Sequence, residues 1–253
     1  GLLVCCAEDA GTARLSESAR ELGIRVVTYG RPDKSVVDAD VTICDVEMTP
    51  SSCRARVSYG DISAELSLGV SGVHNILNAV GAWIAGVELG VEPGLMASSL
   101  AGFTGTARRF ELRGTVGDRR VFDDYAHHPT EVSVAIEQAR LVADGADVTV
   151  VFQPHLYSRT RLFADRFAKA LSGADHVVLA DIYAAREDED PAVTSGLIAD
   201  QIEGAECVHD MHEAARTGAR LTGSRGVLIT MGAGSITQCA DDVIDEWQRM
   251  DAS

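Results

Sequence analysis

At 253 residues with 46% hydrophobic content, the chain is long enough for one large or two modest domains with a sizeable core. A formal charge of −16 disfavours a general nucleic-acid binder, whose affinity rests on basic patches that displace phosphate counterions. No apolar run approaches the roughly 20 residues that span a bilayer, and no basic segment precedes an apolar one at the start, so neither a membrane partner nor a secretory signal is read. The six cysteines include no C-x-x-C pair and no zinc-type spacing. They read as small buried apolar residues of a reducing compartment, in a cytoplasmic protein with no metal site of its own. The chain begins at Gly1 without a methionine and reads as a piece of a longer protein.

In chain order, Leu2 to Cys6 reads as a strand, Ala10 to Leu22 as a helix and Arg25 to Tyr29 as a second strand, one βαβ unit. Three strand-like runs follow: Asp40 to Val46, Ser52 to Tyr59 and Ile62 to Leu68. The last two are joined by Gly60-Asp61 as a hairpin. A long helix opens at Gly72 and runs to about Leu89, with Gly90 placed to stop it, and Pro93 to Phe103 reads as another. Asn75 and Asn78 share a face of the first of these. Their amides match a purine edge, and Asn75 also suits a plain N-cap.

A boundary falls near Gly105 to Arg109. Beyond it, Phe110 to Val116 and Arg119 to Asp123 pair through Gly117-Asp118. Helices from Thr130, Ser158, Ser195, Met211 and Ser235 then alternate with strands at 148–152, 176–180, 206–208 and 226–230. This alternation implies right-handed crossovers and a mainly parallel, Rossmann-like α/β sheet.

Two strand-to-helix turns carry the chemistry. Asp123-Asp124-Tyr125-Ala126-His127-His128-Pro129-Thr130-Glu131 places carboxylates, a phenol and two imidazoles together, with Pro129 suited to a first helical turn. Gln153-Pro154-His155-Leu156-Tyr157-Ser158-Arg159 follows the next strand. Parallel strands point the same way, so His155 and Arg159 emerge at the sheet edge that carries Tyr125 and His127, where ligands of open α/β sheets bind. An arginine beside imidazoles and helix N-termini suits a carboxylate or phosphate, and a histidine there can move a proton. The blander alternative makes Asp124 and Thr130 helix caps and the histidines solvated loop residues. A third turn, Met231-Gly232-Ala233-Gly234-Ser235, matches a dinucleotide fingerprint only loosely, and backbone packing accounts better for its glycines.

Gly-x-His-Asn-x-x-Asn at 72–78, Arg-Arg-Phe-Glu at 108–111, Asp-Asp-Tyr-Ala-His-His-Pro-Thr-Glu at 123–131 and Gln-Pro-His-x-Tyr-x-Arg-Thr at 153–160 together resemble the Mur ligases of peptidoglycan synthesis, specifically their alanine-adding branch. The resemblance implies a chain made of the latter part of a central ATP-binding domain (1–107) and a complete C-terminal Rossmann-like domain (108–253). The phosphate-binding loop and Mg2+ ligands would lie upstream, leaving this chain inactive alone. It implies a family reaction in which ATP drives amide formation between L-alanine and UDP-N-acetylmuramate. Asn75, Asn78, Arg109 and Asp124 would meet the nucleotide, and Tyr125, His127, His155 and Arg159 would form the amino-acid pocket, with His127 and His155 as catalytic candidates. Many relatives carry arginine where this chain has Leu156, which leaves Arg159 the surer carboxylate partner. The alternatives are a murein peptide ligase, which adds a tripeptide to the same sugar, and a non-catalytic nucleotide-binding module.

Overall fold

The computed structural model describes residues 1–252 and divides them into two compact units, Gly1–Gly105 and one beginning at Thr106. The first unit runs β1 (Leu2–Cys6), α1 (Ala10–Glu21), β2 (Arg25–Gly30), β3 (Val41–Met48), β4 (Cys53–Tyr59), β5 (Ile62–Leu68), α2 (Val73–Glu88) and α3 (Pro93–Leu100). Its sheet has the order β1-β2-β3-β4-β5, parallel through β3 and antiparallel beyond. Tyr59 faces Ile62 across the Gly60-Asp61 turn, as the hairpin reading requires, and Gly60 supplies the positive φ of 56°. Ile76, Ala79, Val80, Trp83 and Ile84 recur at helical spacing along α2 and bury one face against the sheet, where α2 meets β1, β2, β4 and β5.

The second unit runs β6 (Glu111–Val116), β7 (Arg119–Asp124), α4 (Pro129–Ala143), β8 (Val148–Phe152), α5 (Tyr157–Leu171), β9 (His176–Leu179), α6 (Gly196–Ala199), β10 (Glu206–Cys207), α7 (Met211–Leu221), β11 (Val227–Met231), a 3-10 turn at Ser235–Cys239 and α8 (Ala240–Asp251). Its six strands lie in the order β10-β9-β8-β11-β7-β6, all parallel except the edge strand β6. Side chains alternate between two cores. Phe122, Val150, Phe152, Ile229 and Leu179 face α4, α5 and α6, whereas Val121, Val151, Leu228 and Val178 face α7 and α8. Burial on both faces explains why these strands are continuous apolar runs.

Several predicted elements come out shorter, among them the helix read over Pro93 to Phe103, which ends at Leu100. The helix expected over Ser195 to Ile202 is one turn, β10 is two residues, and the closing helix starts at Ala240 because a 3-10 turn occupies Ser235–Cys239. Periodicity fixes the existence of an element better than its ends.

The register of β7, β11, β8 and β9 sets the active edge. Asp124 pairs with Met231, Met231 with Phe152, and Phe152 with Leu179, so four strands end at one level. The segments 125–128, 232–234, 153–156 and 180–187 therefore leave the sheet side by side.

Candidate active site

The first turn is held by its own polar groups. Pro129 occupies the first helical position of α4, and the N-cap is His128, whose ring nitrogen accepts the Thr130 N–H at 3.3 Å. Glu131 completes a capping box, accepting the backbone N–H groups of His127 at 3.0 Å and His128 at 3.2 Å. Capping thus falls to His128 and Glu131, not to Asp124 or Thr130. Asp124 is 7% exposed, and its two oxygens accept the N–H of Phe110 at 2.8 Å and of Ala126 at 2.7 Å. Burial raises its pKa against the pull of those two donors and of Arg109.

Four rings form a row along the sheet edge. Tyr125 and His127 meet edge to face at 5.1 Å, His127 and His155 lie 6.1 Å apart, and His155 stacks on Tyr183 at 5.7 Å. Tyr125 is flanked by the guanidinium groups of Arg108 at 4.9 Å and Arg109 at 5.5 Å. Nδ1 of His127 lies 2.9 Å from the carbonyl of Tyr125. A carbonyl only accepts, so the neutral ring carries its proton there and presents Nε2 as a lone pair.

His155 is different. Its Nδ1 is buried without a hydrogen-bond partner among the described residues. Burial, then the charges of Arg159, His127 and Arg186, lower its pKa below the usual histidine value. Arg159, in the first turn of α5, reaches the His127 carbonyl only at 3.5 Å, which leaves most of its five donors for a ligand. The second turn is braced by Glu187, which accepts the Ser158 N–H at 3.0 Å and its hydroxyl.

The glycine-rich turn serves these residues by leaving them space. A Cβ on Gly232 would lie 2.6 Å from the Gln153 carbonyl, and one on Gly234 would lie 2.5 Å from Gln153 Oε1 and 2.7 Å from the Tyr183 ring. Gln153 in turn accepts the Ile236 N–H at 3.1 Å. Arg108 is committed to structure, bonding the buried Asp123 at 3.2 Å and the Gly232 carbonyl at 2.6 Å. Arg109 is half exposed; it flanks the Tyr125 ring, has Glu131 at 3.9 Å, and keeps donors that can meet an anion.

The structure thus brings Arg109, Asp124, Tyr125, His127, His155 and Arg159 to one edge. Asn75 and Asn78 belong to the other unit. There the N-cap of α2 is Gly72, so Asn75 is not the cap; its amide donates to the Ser71 carbonyl at 2.7 Å, and Asn78 is exposed. Tyr183 had no place among the candidates, although it directly follows the strand predicted at 176–180 and the edge argument for His155 applies to it equally. Glu131, an acid of the first helical turn, braces that turn by local contacts, whereas the bracing by Glu187 depends on tertiary reach and leaves no signal in the sequence.

The family model described as Mur ligase, glutamate ligase domain matches residues 108–234, half of the chain, and takes in all four segments. A UDP-N-acetylmuramate–L-alanine ligase of Kineococcus radiotolerans is 46% identical over 249 residues, covering 97% of this chain and 52% of that protein. The chain therefore spans about half the length of the curated relatives it matches. Among solved structures, the UDP-N-acetylmuramate-alanine ligase of Thermotoga maritima is similar at 26% identity and a TM-score of 0.74, covering 98% of this chain and 52% of that one. The murein peptide ligase of Psychrobacter arcticus, at 21% identity and 0.69 with 98% and 51% covered, shares the fold. With half of its residues matched by that family model, the chain belongs to the Mur ligase family.

Proposed function

We propose that this chain is the C-terminal half of a cytoplasmic, ATP-dependent ligase that joins L-alanine to UDP-N-acetylmuramate, and that the row Tyr125–His127–His155–Tyr183 with Arg159 receives the alanine. The supporting observation is the convergence of two imidazoles and an uncommitted arginine at one strand-end level. Residues 1–107 then belong to the central ATP-binding domain and 108–253 to the amino-acid domain.

Each residue has a role that its surroundings support. Arg159 takes the alanine carboxylate through its planar fork. His155, kept neutral by burial and neighbouring cations, is suited to accept a proton from the alanine ammonium, and His127 offers a second lone pair at Nε2. Tyr125 and Tyr183 close the two ends of the row and exclude longer side chains. ATP supplies the phosphoryl group that activates the sugar's lactyl carboxylate. Each unit by itself offers residues suited to it: in the second, Arg109 is exposed and the Asp124 oxygens keep lone pairs beyond their two backbone donors, and in the first, Asn78 is exposed. Mg2+ takes oxygen ligands, and the family resemblance puts them outside this chain.

The test is product analysis with the full-length protein, ATP and UDP-N-acetylmuramate, offering L-alanine and the murein tripeptide in parallel. Alanine-dependent ADP release with the alanyl product supports the proposal. Release with the tripeptide alone would assign the chain to the peptide ligases, and no release with either would make it a binding module.

A further inference from the structure

On the face of the second unit's sheet opposite α4 and α5, three helical elements bring an imidazole, a thiol and a carboxylate together. His212 lies in the first turn of α7, Cys239 ends the 3-10 turn, and Asp242 lies in the first turn of α8. The three donor atoms all lie within 4.8 Å of one another. His212 Nδ1 is 3.7 Å from Cys239 Sγ and 2.7 Å from Asp242 Oδ2.

These spacings can be compared with what an ion imposes. Tetrahedral zinc, with bonds of about 2.3 Å to sulfur and about 2.0–2.1 Å to nitrogen or oxygen, sets its ligands roughly 3.3–3.6 Å apart. The imidazole–thiol distance already matches. The imidazole–carboxylate pair, now hydrogen-bonded, has to open by about half an ångström, and the thiol and carboxylate, within 4.8 Å of each other, have to close by up to about 1.2 Å.

Burial is graded in the way an ion site needs. Cys239 is 0% exposed, whereas the side chains of His212 and Asp242 are 40% and 22% exposed, so the thiol forms the floor and solvent reaches the fourth position. Arg216 donates to Asp242 Oδ1 at 2.9 Å, which leaves Oδ2 for the ion and orients the carboxylate from behind. Neither this cluster nor any of its residues belongs to the row of rings.

We propose that His212, Cys239 and Asp242 form a binding site for a thiophilic divalent cation of the zinc class, with water as the fourth ligand. One thiolate, one imidazole and one carboxylate suit zinc, cobalt or cadmium and disfavour magnesium or calcium, which take oxygen ligands. Burial and the neighbouring carboxylates of Asp242 and Asp210 push the Cys239 thiol up to about 12, so it is protonated at neutral pH without an ion. On binding, the sulfur–metal bond replaces the S–H bond, that proton passes to solvent, and the His212–Asp242 hydrogen bond opens. The ion then ties α7 to α8.

Cobalt(II) is the probe, titrated into the purified chain carrying Cys44→Ser and Cys207→Ser, which remove the two exposed thiols. One equivalent producing a near-ultraviolet thiolate charge-transfer band and intense tetrahedral visible bands, both displaced by zinc, supports the site. His212→Gln and Asp242→Asn, at partly exposed positions, should each weaken binding at least tenfold, and Cys239→Ser should abolish the charge-transfer band. Absence of a band in the parent, or a band of equal strength in His212→Gln and Asp242→Asn, overturns the proposal even if Cys239→Ser does not fold.

Discussion

Arg108→Ala removes the group that ties the start of the second unit to its glycine-rich turn. Its Nε lies 3.2 Å from Asp123 Oδ2, and its Nη2 donates to the carbonyls of Gly232 at 2.6 Å and Gly234 at 3.3 Å. The Asp123 side chain is 0% exposed, so the substitution leaves a buried carboxylate without its counter-charge. Breaking one side of a buried ion pair costs about 3–5 kcal/mol. Asp123 keeps hydroxyl donors from Thr230 at 3.0 Å and Thr237 at 2.7 Å, which puts the expected loss at the lower end, about 3 kcal/mol. Each unit holds one fully buried tryptophan, Trp83 in the first and Trp247 in the second. Urea unfolding followed by Trp247 emission in a Trp83→Phe background therefore reports on the second unit. With an m value of about 2 kcal/mol per molar, the midpoint should fall by about 1.5 M. Adding Asp123→Asn should recover about 1.5 kcal/mol or more, because the uncompensated charge goes with it. A loss under about 1 kcal/mol for Arg108→Ala, or strict additivity in the double variant, would show that the pair does not hold this turn.

Gly234→Ala should cost about 2 kcal/mol or more by urea titration, since its Cβ would overlap Gln153 and Tyr183; a neutral result would mean the two turns yield freely. His155, with its pKa depressed in the folded state, binds fewer protons than the unfolded chain between the two pKa values. Stability should therefore rise with pH through a window ending near 6.5, and the full penalty should be present below the folded pKa. An imidazole NMR titration of His155 at or above the usual value, or a slope that survives His155→Asn unchanged, would contradict this. In the full-length protein, Tyr125→Ala and Tyr183→Ala should each raise the kcat/KM of valine relative to alanine by about tenfold or more, roughly the discrimination two methyl groups carry in an apolar pocket. Unchanged ratios would move the size limit to other side chains. Ala185, at φ 52°, should accept glycine with a gain of up to about 1 kcal/mol, checked by thermal unfolding.

Much of the second unit was legible because its strands are buried on both faces and punctuated by turn chemistry. Runs such as Val148–Phe152 leave little room for another reading, and parallel connectivity then sends His127 and His155 to one edge without any coordinates. The less legible parts depended on reach. Gln153 looked like one more turn residue, yet it fills the space that two glycines leave 79 and 81 residues later. Arg108 and Arg109 are adjacent in sequence but opposite in fate, one latched to a buried aspartate and the other exposed, with Arg108 at a positive φ of 61°. Capping by His128 escaped the reading because histidine is an uncommon N-cap and the expected caps, Asp124 and Thr130, sat on either side.

In the proposed function, the two histidine turns receive alanine through Arg159. The most direct measurement is the KM for L-alanine of Arg159→Ala in the full-length protein, alongside the KM for ATP. Loss of a charge-assisted, bidentate contact of about 1.5–3 kcal/mol predicts a rise of about 10- to 150-fold for alanine and little change for ATP. An alanine KM within twofold of the parent, or an equal rise for both substrates, would contradict the assignment of this edge to the amino acid.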